Sequence, residues 1–114
     1  MVWPGFSWRN LMGAASPSNQ IPRRGGRFFW RQVYNATGAG ATTLFGAMFD
    51  EVDEGTAMFK LAPTRSSLPV GCSLVPANVD GEALPSDWYL RVGREAGRML
   101  RGEISPTITL PIRP

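Results

Sequence analysis

Proline and glycine recur along this chain from Pro4 to Pro114, and no long stretch escapes one or the other. The 114 residues include 10 prolines and 13 glycines. Proline removes a backbone donor and clashes with the preceding helical turn, while glycine loses more freedom on folding than any other residue. A long helix or a coiled coil is therefore excluded. So is a bilayer-spanning helix, which needs about 20 consecutive apolar residues. What remains is one small domain of short elements joined by turns, with 43% hydrophobic residues to build its core.

The side-chain inventory narrows the chemistry. There is no histidine, and Cys72 is the single cysteine. Zinc sites of the Cys/His kind, His-based triads and intramolecular disulfides are ruled out. Cys72 reads as a small buried hydrophobe, since no histidine exists to activate it. No phosphate-binding loop, dinucleotide fingerprint, nucleophile elbow or metalloprotease motif is present. Asp50, Glu51, Asp53 and Glu54 lack the glycine and terminal glutamate spacing of a calcium loop, and read as an acidic turn. The chain is expected not to be an enzyme and to carry no cofactor or metal.

Charge is divided along the chain. Residues 1–49 hold Arg9, Arg23, Arg24, Arg27 and Arg31 and no acid, whereas all nine acids fall between Asp50 and Glu103. The net charge is +3. A basic lead segment suits nucleic acid, an acidic protein surface or a headgroup layer. Eleven of the twelve basic residues are Arg, a skew that a GC-rich genome explains as well as a need for bidentate contacts.

Residues 1–25 are broken by three prolines and three glycines, yet carry Trp3, Phe6, Trp8, Leu11, Met12 and Ile21. Pro4, Asn10, Ser16 and Pro17 interrupt the apolar run that a secretory signal needs. A solvated tail does not usually hold such bulky apolar groups. Burying one large aromatic removes about 150–250 Å² from water, so these rings are expected to be covered. The cover is either the chain's own core or a neighbouring subunit. The expectation taken forward is an extended N-terminal arm that runs away from a domain at 26–114 and docks in trans through Trp3, Phe6, Trp8, Arg9, Leu11, Arg23 and Arg24.

Beyond the arm the pattern predicts strands. In 26–36, Phe28, Trp30 and Gln32 alternate with Phe29, Arg31 and Val33, and aromatic density favours a pleated surface. Residues 42–52 fit a strand, or a helix with Leu44, Phe45, Met48, Phe49 and Val52 on one stripe. Gly46 and the acids at its end count against the helix. Residues 56–62 read as its hairpin partner, and 68–76 as a short edge strand. In 86–103, a helix would align Trp88, Tyr89, Val92, Ala96, Met99 and Leu100 opposite Arg91, Arg94, Arg98 and Arg101, with Ser86 as its cap. Gly93 and Gly97 would each cost that helix about 1 kcal/mol. A hairpin turning at Gly93–Gly97 is favoured instead, with a last strand near 104–110.

The order of these elements resembles the small immunoglobulin-like β-sandwich modules of tailed-phage virions, of the type found at the N-terminus of upper-baseplate proteins. Gly40-Ala41-Thr42 opens the second strand. Leu84-Pro85, Trp88-Tyr89-Leu90-Arg91-Val92, Gly97 to Ile104 and Thr107-Ile108-Thr109 match the closing pattern. The match covers about residues 26–112; the prolines of 63–83 depart from it and the arm lies outside it. The resemblance implies an all-β sandwich and a structural role in a virion, as a decoration, adaptor, tail or baseplate component. Its partners would be other virion proteins, after synthesis in the host cytoplasm, with no membrane contact. The alternatives are an α+β fold with helices near 42–54 and 87–101, and a small basic nucleic-acid-binding protein.

Overall fold

The computed structural model describes residues 1–114 and contains three helices and no sheet. They are α1 (Arg9–Met12), α2 (Arg27–Gly38) and α3 (Trp88–Leu100). Single 3₁₀ turns lie at Arg24–Gly26 and Arg65–Ser67. Extended pairing is confined to two isolated bridges, Val2 with Gly46 and Phe6 with Ile21. The expected all-β sandwich is therefore incorrect, and so is a β-rich domain at 26–114.

Two expected strand regions are the main helices. In α2 the buried residues are Phe29, Trp30 and Val33, a helical stripe rather than an alternating face. Its aromatic density suits a strand by local preference, but burial against α3 decides the outcome. In α3 the buried set is Trp88, Tyr89, Val92, Glu95, Ala96 and Met99. Five of these are on the stripe the sequence offers, Glu95 is buried in addition and Leu100 is only half-buried; this burial outweighs the cost of Gly93 and Gly97. Asp87, not Ser86, occupies the N-cap position, with no side-chain capping bond. Its carboxylate instead accepts from Arg91 Nε at 3.0 Å, one turn along.

The other expected strands, at 42–52, 56–62, 68–76 and 104–110, are irregular, and the alternative helix at 42–54 does not form. Pro63, Pro69, Pro76 and Pro85 remove ladder donors, so the middle of the chain cannot extend a sheet. Of 49 backbone hydrogen bonds, 31 lie outside the helices, in turns and in links between coil segments. Leu61 N–H donates to the Ser86 carbonyl at 3.0 Å, and Ala77 N–H to the Ala62 carbonyl at 2.9 Å.

This coil covers the helix pair. Ala57, Met58, Leu61, Ala77 and Leu84 join Phe29, Trp30, Val33, Trp88, Tyr89, Val92, Ala96 and Met99 in one core. The two core tryptophans are also anchored by their indole N–H groups. Trp88 Nε1 donates to the Gly25 carbonyl and Trp30 Nε1 to the Thr107 carbonyl, both at 2.9 Å. The helices approach closely at the entry to α2. Gly26 has φ +89°, and a Cβ there would meet Val92 Cγ2 at 3.2 Å. Only glycine combines that backbone with that proximity.

The first seven residues lie along this body. Val2 is 3% exposed and belongs to the core. Its N–H donates to the Phe45 carbonyl, and its carbonyl accepts from Ala47 N–H, at 2.9 and 2.8 Å. Ser7 N–H donates to the Glu54 carbonyl at 2.7 Å. Gln32 clasps the Trp3 backbone from α2, donating to its carbonyl at 2.8 Å. Gly5 allows the crossing with the next segment, since a Cβ would stand 2.7 Å from the Ile21 carbonyl oxygen.

Candidate interaction surface

The residues expected to form one docking arm are distributed over the molecule. Trp3 is half-buried, with its ring edge-on to Phe28 at 6.2 Å. Phe6 is half-buried and packs edge-on against Trp8 at 4.8 Å, while Trp8 and Leu11 are exposed. Arg9 lines a polar hollow with Ser18, Arg65, Cys72 and Ser73. Cys72 is half-buried there. Arg24 is exposed, and its backbone N–H donates to Asp80.

Arg23 is the residue whose place differs most from a surface role. It is 1% exposed. Its guanidinium donates to the Gly55 carbonyl at 2.7 Å and the Ala57 carbonyl at 2.8 Å. It also lies over the Tyr89 ring, 4.5 Å from the centroid. Burial lowers the Arg23 pKa below its usual value. Burial likewise pushes the Tyr89 phenol up to about 12, against the opposing pull of the Arg23 charge. Arg23 Nε and Tyr89 Oη have no hydrogen-bond partner. The pair is a structural rivet that fastens 55–57 to α3. Tyr89 also borders an apolar groove along α3, whereas Arg23 lines no opening.

The apolar opening lies along α3. A groove of about 380 Å³ runs between α3 and the 44–49 loop, with no charged side chain in its lining. Leu90, Gly93, Gly97 and Leu100 of α3 form one wall, and Leu44 and Phe49 line the opposite side. The glycines open it: the space their side chains would fill is the groove. A Cβ on Gly93 would be 3.6 Å from Met58 Cε, an ordinary contact, so the site has room for more than hydrogen. Phe45 and Phe49, beside it, are 62% and 61% exposed, and Leu90 is 38% exposed. Large apolar groups clustered at one opening mark interaction sites more often than scattered ones do.

Sequence reasoning misses this groove. Its signal is present in Gly93 and Gly97, which by themselves read only as helix breakers. Two glycines four apart between Leu90 and Leu100 instead mark a flat helix face. The Phe45 and Phe49 side of the groove depends on the route of an irregular loop, which no periodicity encodes.

Charge around the groove is uneven. Glu82, Asp87, Glu95 and Glu103 each pair with an arginine, and Asp80 accepts from Asn19 Nδ2 and Arg24 N–H. Asp50, Glu51, Asp53 and Glu54, next to Phe49, form no salt bridge. Burial, and then the carboxylates of Glu51 and Asp53, hold the Glu54 carboxyl above its usual range. No helix is long and apolar enough to cross a membrane. No protein-family model, no curated protein and no solved structure matches the chain.

Proposed function

We propose that the chain is a non-catalytic structural subunit that joins a larger assembly by docking its apolar groove on another protein surface. The groove is the observation that supports this: an uncharged hollow whose lip exposes Phe45, Phe49 and Leu90. Covering such a surface removes apolar area from water, the dominant favourable contribution to most protein association. Trp8 and Leu11 supply a further exposed apolar patch beyond the groove.

A tailed-phage virion is the setting implied by the sequence resemblance, with other virion proteins as neighbours. That resemblance is to a sandwich, which this helical fold does not share, so the assembly role rests on the groove. Nucleic-acid binding has less in its favour. Of the five arginines in the lead segment, Arg23 is turned inward and Arg27 pairs with Glu82. Only Arg9, Arg24 and Arg31 of that segment are left to meet phosphates.

Sedimentation of extracts from the native source tests the reading. The wild-type chain is expected in a fast-sedimenting fraction, and Phe49→Ser with Leu90→Ser is expected in the slow fraction while retaining its fold by circular dichroism. A wild-type chain found only as a small free species would overturn the assembly role. A tight isotherm with a steep salt dependence on duplex DNA would favour the nucleic-acid reading instead.

A further inference from the structure

We propose that the groove face is self-complementary and that two copies of this chain dimerise through it. This rests on the docking reading above and names the occupant as a second copy. Every acid outside 50–54 is engaged within the chain, and none inside it has an ion-pair partner. That acidic loop continues directly from Phe49 at one side of the groove.

The other side carries the opposite sign. Arg94 follows Gly93 on α3, one turn from both Leu90 and Gly97, and is exposed with no acidic partner. The Arg101 guanidinium lies over Gly97, 3.0 Å from where a Cβ would stand, but it is paired with Glu103, so Arg94 carries the unbalanced charge. The chain is thus anionic just beyond Phe49 and cationic at Arg94, with the apolar lining of the groove between Phe49 and Gly93.

A two-fold axis across such a face has a definite consequence. An isologous contact places each patch against the partner's complement. Acidic 50–54 of one copy then meets the Arg94 edge of the other, and this occurs twice. Phe45 and Phe49 are brought to the partner's glycine-lined wall.

Light scattering on eluted peaks and sedimentation equilibrium test this with the full chain. Wild type is expected at about twice 12.5 kDa, with dimerisation weakening as salt rises. Arg94→Glu is expected to weaken the dimer about tenfold or more, as is Asp50→Arg with Asp53→Arg, because each places like charges together. Mixing these two variants decides the matter. In the mixed dimer the glutamate introduced at position 94 faces the introduced arginines, and the native Arg94 faces native acids. Heterodimers are therefore expected to recover wild-type affinity. Gly97→Leu fills the groove and is expected to yield monomers with α3 still helical. A wild type that is monomeric at about 100 μM, against the micromolar affinity of an ordinary contact, overturns the proposal. So does a dimer indifferent to both charge variants. A monomer that still sediments with its native assembly would sink the dimer alone and leave the docking reading in place.

Discussion

The helix pair and the irregular middle of the chain are stabilised in different ways. Residues 27–38 and 88–100 are specified by repeating burial: Phe29, Trp30 and Val33 face Trp88, Tyr89, Val92 and Ala96 across one seam. Residues 41–86 have no such period. They are fastened at points, by Arg23 to the Gly55 and Ala57 carbonyls, Asn19 and Arg24 to Asp80, and Arg27 to Glu82. All of these fastenings start from residues 19–27, just before or at the beginning of α2. A two-helix seam is too small to be a complete core, and coil can finish it if a few directional bonds replace a sheet's ladder.

The largest expected effect comes from cutting the main fastening. Arg23→Met keeps apolar volume but leaves the Gly55 and Ala57 carbonyls without their charged donor. Hydrogen bonds to charged groups are worth about 1.5–3 kcal/mol each, so a loss of about 3 kcal/mol or more is expected. At about 4 °C per kcal/mol or more, that lowers the melting temperature by about 12 °C or more. Hydrogen exchange should show 41–86 loosening before the helices. A uniform loss across both regions would mean that they are not held separately.

The next effect concerns pH at the same contact. The fold favours the neutral Tyr89 phenol, whose pKa rises from an ordinary 10.0 to about 12. On raising the pH the unfolded chain gives up its proton first. The stability from this group is therefore intact below pH 10 and is lost as pH rises through 12. At about 1.4 kcal/mol per unit, the decline amounts to about 2–3 kcal/mol. Tyr89→Phe removes a hydroxyl that has no partner, so its denaturation midpoint should stay level over the range where wild type declines. Parallel decline of both proteins would place the alkaline sensitivity elsewhere.

The smallest effect has the opposite sign. Gly97→Ala should stabilise the helical region by up to about 1 kcal/mol, because alanine favours a helix interior over glycine. Its Cβ would meet only the mobile end of Arg101. A fall in melting temperature would show that this glycine is needed for packing as well as for opening the groove.

The two regions also differ in how far they can be read from sequence. The α3 stripe is visible except for Glu95, a charge that periodicity puts on the outside, but Gly93 and Gly97 weigh against a helix; the cost is real, yet smaller than the burial of Trp88, Tyr89 and Met99. The α2 stripe is hidden by aromatics whose local preference is for strands. The middle cannot be read at all, because each fastening joins residues far apart, 32 positions for Arg23 and Gly55 and 56 for Arg24 and Asp80. Arg23 itself is visible only as a charge in a basic run. Nothing nearby in sequence signals that it turns inward. Of the groove, the glycine wall is on view and the phenylalanine side is not.

The shortage of regular backbone has a spectroscopic consequence. Far-ultraviolet circular dichroism reports repeating peptide geometry, and here α2 and α3 supply only 12 and 13 residues of it. By that measure the folded protein would resemble a largely unordered chain. Near-ultraviolet dichroism responds to aromatic rings held in asymmetric surroundings, a signal that is lost when tertiary packing loosens. Trp30 and Trp88, each 1% exposed and held by its indole nitrogen, should give sharp bands there. The solvent-facing ring of Trp8, 45% exposed, should instead be the one that a soluble fluorescence quencher reaches first.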